Sequence, residues 1–198
     1  MSSDLQDDDT MEAIMQATYR ALCANGYAET SISNIADEID MSRGVLYYHY
    51  ENKEAILTDF LTYILERFEA DLNESTHTDP YDQLLDLIDR FVPTDPTNDQ
   101  LRFRQAYCEM RSQAPHNPEY QELLAATDER MHRELTATIS RGCETGVFRP
   151  VDAESTADFI LSTAYGIMER GSTFEDRELL AKNRRQLLVY VDNLLSDQ

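Results

Sequence analysis

The heptapeptide Arg43-Gly44-Val45-Leu46-Tyr47-Tyr48-His49 brings a guanidinium, a small aliphatic group and two phenols close together in the chain. On one short helix these side chains suit the major groove of a nucleic-acid duplex. A guanidinium can bridge O6 and N7 of guanine, Val45 can meet a thymine methyl, and tyrosyl hydroxyls can reach phosphates. Lys53 follows at the start of the next helix, where its ammonium and the positive end of the helix dipole both favour a flanking phosphate. No rival chemistry is written in the chain. It has no phosphate-binding glycine loop, no HExxH, no Cys/His cluster at metal-ligand spacing and no nucleophile elbow, so neither an enzyme nor a cofactor is expected. Cys23, Cys108 and Cys143 are odd in number and far apart, and read as free buried thiols. His49 reads as a packed or phosphate-touching histidine and not as a base.

These residues need elements to hold them. Ile14, Ala17, Thr18, Ala21 and Leu22 recur at helical spacing, and Asn25-Gly26 supplies a left-handed stop. Thr30 or Ser31 caps a second helix with the inward stripe Ile32, Ile35, Ala36 and Ile39. After Asp40-Met41, Ser42 caps the third helix, which carries Arg43 to His49. Two short helices joined by a turn of this length are a helix-turn-helix. Asn52 caps a long fourth helix, Lys53 to about Glu74. Helices are then expected at about 81–92, 98–113, 119–144, 153–170 and 176–195, separated by Pro-rich breaks, with Gly142 and Gly146 marking the end of the seventh. The chain is therefore all-α, with about nine helices. Residues 1–10 read as a disordered acidic arm, 11–55 as a helix-turn-helix domain, and 56–198 as a sensing and dimerisation domain.

Charge is the anomaly. Lys+Arg total 17 against 38 for Asp+Glu, a formal net of −21, and through residue 55 three basic residues face eleven acidic ones. Nucleic-acid binding ordinarily needs basic surface to displace counterions. The acids are dispersed along the chain and Arg far outnumbers Lys. That suits a surface adapted to very salty cytoplasm, where a Debye length of about 3 Å in molar salt screens repulsion from DNA. The expected source is an extreme halophile, an archaeon. The other reading is an acidic protein-interaction module that kept the fold and lost DNA binding. The polar, acidic N-terminus lacks the basic start and apolar stretch of a secretory signal, and no apolar run of about 18 residues occurs, so a cytoplasmic protein outside the membrane is expected.

Gly26, Thr30-Ser31, Ile35-Ala36, Ser42-Arg43-Gly44, Leu46-Tyr47-Tyr48-His49-Tyr50 and Asn52-Lys53-Glu54-Ala55-Ile56-Leu57 together resemble the N-terminal domain of the TetR family of regulators. The resemblance is clear over about residues 11–60. It implies that the third helix is the recognition helix, with DNA contacts at Arg43, Gly44, Val45, Tyr47 and Tyr48, phosphate contact at Lys53, and support from Ser31 and Ser33. Asp40 departs from the family's usual glycine in the turn, but Asp tolerates the left-handed conformation.

The resemblance also implies a small-molecule pocket formed by helices four to seven. Phe60, Ile64, Phe68, Phe91, Phe103, Tyr107, Met110, Tyr120, Leu124 and Met131 are candidate lining residues, suited to an apolar or amphipathic effector. Glu109 would suit a cation; Arg102, Arg104 and Arg111 would suit a carboxylate or acyl thioester. The stripes Ala157, Ile160, Leu161, Ala164, Ile167, Met168 and Leu180, Leu187, Leu188, Val191, Leu194, Leu195 predict a four-helix bundle with a symmetry mate. From them Ile160, Ala164, Ile167, Leu187, Val191 and Leu194 are taken as the homodimer interface. A dimer spaces two recognition helices about one DNA turn apart, over a near-palindromic operator. The expected activity is repression relieved by effector.

Overall fold

Short polar side chains open the helices of the computed structural model, which describes residues 2–39, 43–73 and 78–195, with side chains placed for 10–39, 43–67, 70 and 78–193. Ser31 accepts from the Asn34 amide at the start of α2 (Ile32–Asp37), and Asn52 accepts from the Ala55 amide at the start of α4 (Lys53–Asn73). Asp79 caps α5 (Pro80–Phe91), Asn117 caps α7 (Pro118–Thr145), Asp152 caps α8 (Ala153–Phe174) and Asp176 caps α9 (Arg177–Leu195). Each satisfies amide donors that a helix start would leave without partners. With α1 (Ser2–Glu29), α3 (Arg43–His49) and α6 (Asn98–Gln113), the described residues form nine α-helices and one 3₁₀ turn (Ala114–His116), with no strand. The all-α expectation stands.

One correction concerns α1. Residues 2–10, expected as a disordered arm, are helical and run into α1. Carboxylates in a first turn meet the positive end of the helix dipole, so acidity there does not oppose a helix. The helix also breaks where expected, at Gly26, whose φ of 72° only glycine adopts without penalty, and the chain resumes a helical turn to Glu29. The expected turn at Asp40-Met41 and the Ser42 cap lie outside the described residues.

The chain forms two compact units. The first is Met1–Leu72 with Asn98–Leu124. Here α1 lies along α6 and carries α2, which in turn holds α3. Ile14, Ala17, Ala21 and Leu22 of α1, Ile32 and Ile35 of α2, Leu46 of α3, Ile56, Leu57, Phe60 and Leu61 of α4, and Ala106 and Met110 of α6 share one core. Burying side chains of this size stabilises by about 1.5–3 kcal/mol each, and this core holds the short α2 and α3 in place. These helices are too short to persist alone.

The second unit is Asn73–Thr97 with Ala125–Gln198. Here α8 packs on α9 and on α5, around Leu84, Leu87, Ile88, Ile160, Ala164, Ile167, Leu180, Leu187 and Val191. Arg184 clamps the end of α5, donating to the Val92 carbonyl at 2.7 Å and to Asp89 at 2.8 Å. Tyr81 donates to Asp192 at 2.6 Å. That contact, followed by burial, pushes the phenol up to about 12.

Candidate nucleic-acid interface

A single buried leucine fixes the orientation of α3. Leu46 is fully enclosed, which turns Arg43, Gly44, Val45, Tyr47, Tyr48 and His49 outward. Tyr47 is 58 % and Tyr48 86 % exposed. Among the described residues, rings this open contribute little to the core. The Tyr48 ring meets the edge of His49, at 5.3 Å between ring centres. The expected recognition surface is thus assembled on one short helix, while Tyr50 turns in, with its hydroxyl 3.2 Å from the Met11 sulfur.

The cations near this surface are tethered. Arg43 reaches back to Asp37 of α2, with Nη2 3.1 Å from the carboxylate. Arg20 binds the Glu38 carbonyl at 2.7 Å and its carboxylate at 3.4 Å. Both pairs are exposed, and exposed pairs contribute only about 0–1 kcal/mol, so phosphates can compete for them. Lys53, expected to project to a phosphate, is half-buried: its ammonium donates to the Tyr27 carbonyl at 3.0 Å and lies 4.5 Å from the Tyr27 ring centre. Ser31 spends its hydroxyl on the α2 cap and on Asn34, and Ser33 is half-buried on the same helix.

Sequence reasoning missed Tyr27 and Glu109 as a junction. The break at Gly26 frees the Tyr27 amide, which donates to Glu109 Oε2 of α6 at 2.8 Å. Glu109, weighed as a cation ligand, is instead an acceptor for backbone. Burial, with Glu54 nearby, pushes the Tyr27 phenol up. Tyr27 thus joins α6 through its amide and α4 through its carbonyl. Glu109→Ala leaves that amide without its acceptor and is expected to cost about 1–2 kcal/mol. The melting temperature should fall by about 2–4 °C per kcal/mol for a chain of this size. Glu109→Gln keeps an acceptor oxygen and should lose less; thermal melts of both variants check this.

The pocket candidates divide. Phe60, Ile64 and Phe103 line a cavity of about 460 Å³ together with Met15, Gln16, Tyr19, Arg20, Tyr63 and Arg67. Its walls are α1, α4 and α6, where helices four to seven were expected. Tyr19 stacks on Phe103 at 4.9 Å and Phe60 meets Phe103 edge-on at 6.0 Å. Burial pushes the Tyr19 phenol up to about 12. Met110 and Tyr120 are enclosed in the first unit's core, beside the partly buried Tyr107. Leu124 and Met131 are buried as well, and Phe91 packs edge-on against Tyr165 at 5.2 Å. The Phe68 side chain lies outside the described residues. Arg102, Arg104 and Arg111 do not line this cavity.

The dimer candidates divide. Ile160 and Val191 are 1 % and 0 % exposed inside the protomer, and Ala164, Ile167 and Leu187 are buried with them. Their stripe closes the second unit's own core. The open face of α8 and α9 carries Phe159, Val189 and Tyr190, around a groove of about 400 Å³ with Ile167 and Leu187 at its floor. Leu194's side chain lies outside the described residues. Among the described residues there is no metal-ligating cluster, and no helix is long and apolar enough to cross a membrane.

Comparison with known proteins agrees with this architecture. Residues 14–59 match the family of bacterial regulatory proteins, tetR family, and residues 80–196 match the BetI-type transcriptional repressor C-terminal family. The chain is 23 % identical to the HTH-type transcriptional regulator BetI of Stenotrophomonas maltophilia, over 91 % of this chain and 90 % of that protein. The crystal structure of a TetR transcription regulator from Haloarcula marismortui is 36 % identical, with a TM-score of 0.87, and covers 96 % of this chain and 100 % of its own. A putative transcriptional regulator from Saccharomonospora viridis, solved in complex with choline, has the same fold at 22 % identity and a TM-score of 0.82, over 96 % of this chain and 100 % of its own. The chain belongs to the TetR family of transcriptional regulators and carries a BetI-type C-terminal domain.

Proposed function

We propose that this regulator is a homodimeric repressor that reads a near-palindromic operator with α3 and leaves it when a small apolar or amphipathic effector binds. The observation that carries the reading is the outward set Arg43, Val45, Tyr47 and Tyr48, exposed on α3 and oriented by one buried leucine. Residues 11–55 do the reading; residues 56–198 sense and dimerise. Lys53 adds the α4 N-terminus to the phosphate contacts when its ammonium exchanges the Tyr27 carbonyl for DNA. The effector selects a conformation in which α4 has swung, so that the two recognition helices no longer match the groove spacing. By linkage, operator DNA weakens effector binding by the same factor. The choline complex of the Saccharomonospora protein supports small-molecule sensing on this fold.

The net charge of −21 and the similarity to a Haloarcula protein support a protein that works in salt-rich cytoplasm. Dispersed carboxylates repel DNA at low ionic strength, and in molar KCl that repulsion is screened within about 3 Å. The test is fluorescence anisotropy with DNA from upstream of its own gene against scrambled DNA, from about 0.2 M to molar KCl. Sequence-preferring binding that persists or strengthens with salt is expected. Tyr48→Ala should lower operator affinity by about tenfold, the cost of losing one good contact, without changing the melting temperature. Arg43→Ala should relax base preference at one position per half-site, whereas Lys53→Ala should weaken all sequences alike. No preference at any salt would overturn the reading in favour of an acidic module that binds a protein.

A further inference from the structure

We propose that the cavity between α1, α4 and α6 is the effector site, that it takes an amphipathic anion, and that Glu12 holds the anion seat until the ligand displaces it. This rests on the effector-responsive reading above, gives that effector a charge and a place, and extends the sensing surface from residues 56–198 onto α1.

The body of the site is apolar. Phe60 and Met15 are buried at its floor, and the Tyr19 and Phe103 rings form one wall. A volume of about 460 Å³ falls in the range of small-molecule sites. Two guanidiniums line the rim, in a chain poor in bases: Arg20, paired with Glu38, and Arg67, paired with Glu12. Three donors at this rim converge on one carboxylate oxygen, Glu12 Oε1. The Tyr63 hydroxyl donates to it at 2.7 Å, Gln16 Nε2 at 2.9 Å and Arg67 Nη1 at 3.2 Å. The three donor residues line the cavity, and Glu12 stands beside it. A guanidinium, a phenol and an amide aimed at one oxygen are a carboxylate-binding seat.

The Arg67–Glu12 pair is exposed, and pairs of that kind contribute little. A ligand carboxylate whose body fills the aromatic wall can therefore take the seat, since burial of its apolar part adds to the exchange. Glu12 belongs to α1, while Tyr63 and Arg67 belong to α4. Displacing Glu12 exchanges the direct tie between α1 and α4 for one that runs through the ligand to Gln16 of α1 and to Tyr63 and Arg67 of α4, so occupancy acts on the helices that hold α2 and α3.

The chain contains no Trp, so Phe103→Trp places one fluorophore in the wall. Decanoate, decanol and decyltrimethylammonium, all below micellar concentration, share a chain length and differ in charge. Decanoate should change the emission saturably and bind about tenfold more tightly than the cation. Arg67→Gln should weaken decanoate by about tenfold and leave decanol unchanged, and Glu12→Ala should strengthen decanoate several-fold by vacating the seat. Titration calorimetry of the unsubstituted protein with decanoate gives the same answer should the Trp variant fold poorly. No saturable decanoate binding, equal or tighter binding of the cation, or a weaker Glu12→Ala variant would overturn the proposal. Operator anisotropy on the same samples separates the two readings. Decanoate binding without operator release keeps this anion site and overturns only its role as effector site. Operator release by decanoate without a reporter or Arg67 effect leaves the repressor reading and overturns this site.

Discussion

Phe159→Asp should turn the protein into a folded monomer. Phe159 and Tyr190 stack at 4.6 Å on the open face of α8 and α9, at 45 % and 42 % exposure, with Val189 beside them. An aromatic pair this open on a groove floored by Ile167 and Leu187 is the kind of anchor that carries interface energy. A carboxylate there must be desolvated against the partner's apolar face, and an isologous interface buries the same patch of both protomers, so the cost is incurred twice. Since Phe159 contributes little to the protomer core, the melting transition should remain cooperative. Operator affinity should fall with the dimer, because two linked half-site contacts gain about 10²–10⁴ over one. Sedimentation velocity, circular dichroism and operator anisotropy on one preparation decide it. Ile160→Asp is the contrast: that side chain is enclosed in the protomer, so an unpaired charge there should unfold the second unit. A Phe159→Asp protein that stays dimeric would sink the assignment of this face.

Gly171→Ala and Gly142→Ala should each destabilise, although Gly→Ala inside a helix ordinarily stabilises by about 0.5–1 kcal/mol. A methyl at Gly171 would lie 2.2 Å from Leu180 Cγ, and one at Gly142 would lie 2.0 Å from the Phe148 ring. Neither obstacle is the loose end of a flexible chain. Leu180 meets the new methyl at its branch point, and a phenyl ring moves as a plate. Overpacking of this sort costs about 1–3 kcal/mol, enough to lower the melting temperature by several degrees. Gly166 is the control, since a methyl there meets nothing within 4 Å. It lines the groove of the proposed dimer face, so Gly166→Ala belongs in the Phe159→Asp background, where it should raise the melting temperature. Equal gains at all three positions would contradict the close approaches at Gly142 and Gly171.

These glycines also mark where sequence reading stops. Gly142 and Gly146 read as the end of one helix, and the next was expected to end near residue 170. In the structure Gly142 lies inside α7 and Gly171 inside α8, each where a neighbouring side chain presses on the helix. Helix α8 ends instead at Glu175, in a left-handed conformation at φ 50°. Propensity records that glycine weakens a helix; whether a partner occupies the missing methyl is a fact of packing. Gly26 is the opposite case, where the local signal and the observed left-handed break agree.

From residue 11 onward the sequence by itself determined the helices, because apolar side chains at a 3.6-residue period and short polar caps are local properties. It also determined the outward set of α3, because one inward Leu46 places its neighbours on the other face, and it identified the motif that signals DNA reading. Only the tertiary structure decided what those helices meet. It turned the Ile160–Val191 stripe inward and left Phe159 and Tyr190 on the open face, since a stripe of leucines and isoleucines looks the same whether its partner is in the same chain or a second copy. It tied Lys53 and Glu109 to the two backbone polar groups of Tyr27, and it brought Gln16, Tyr63 and Arg67 onto one oxygen of Glu12. Those meetings join residues up to 82 positions apart, and no pattern along the chain encodes which side chains will converge across that distance.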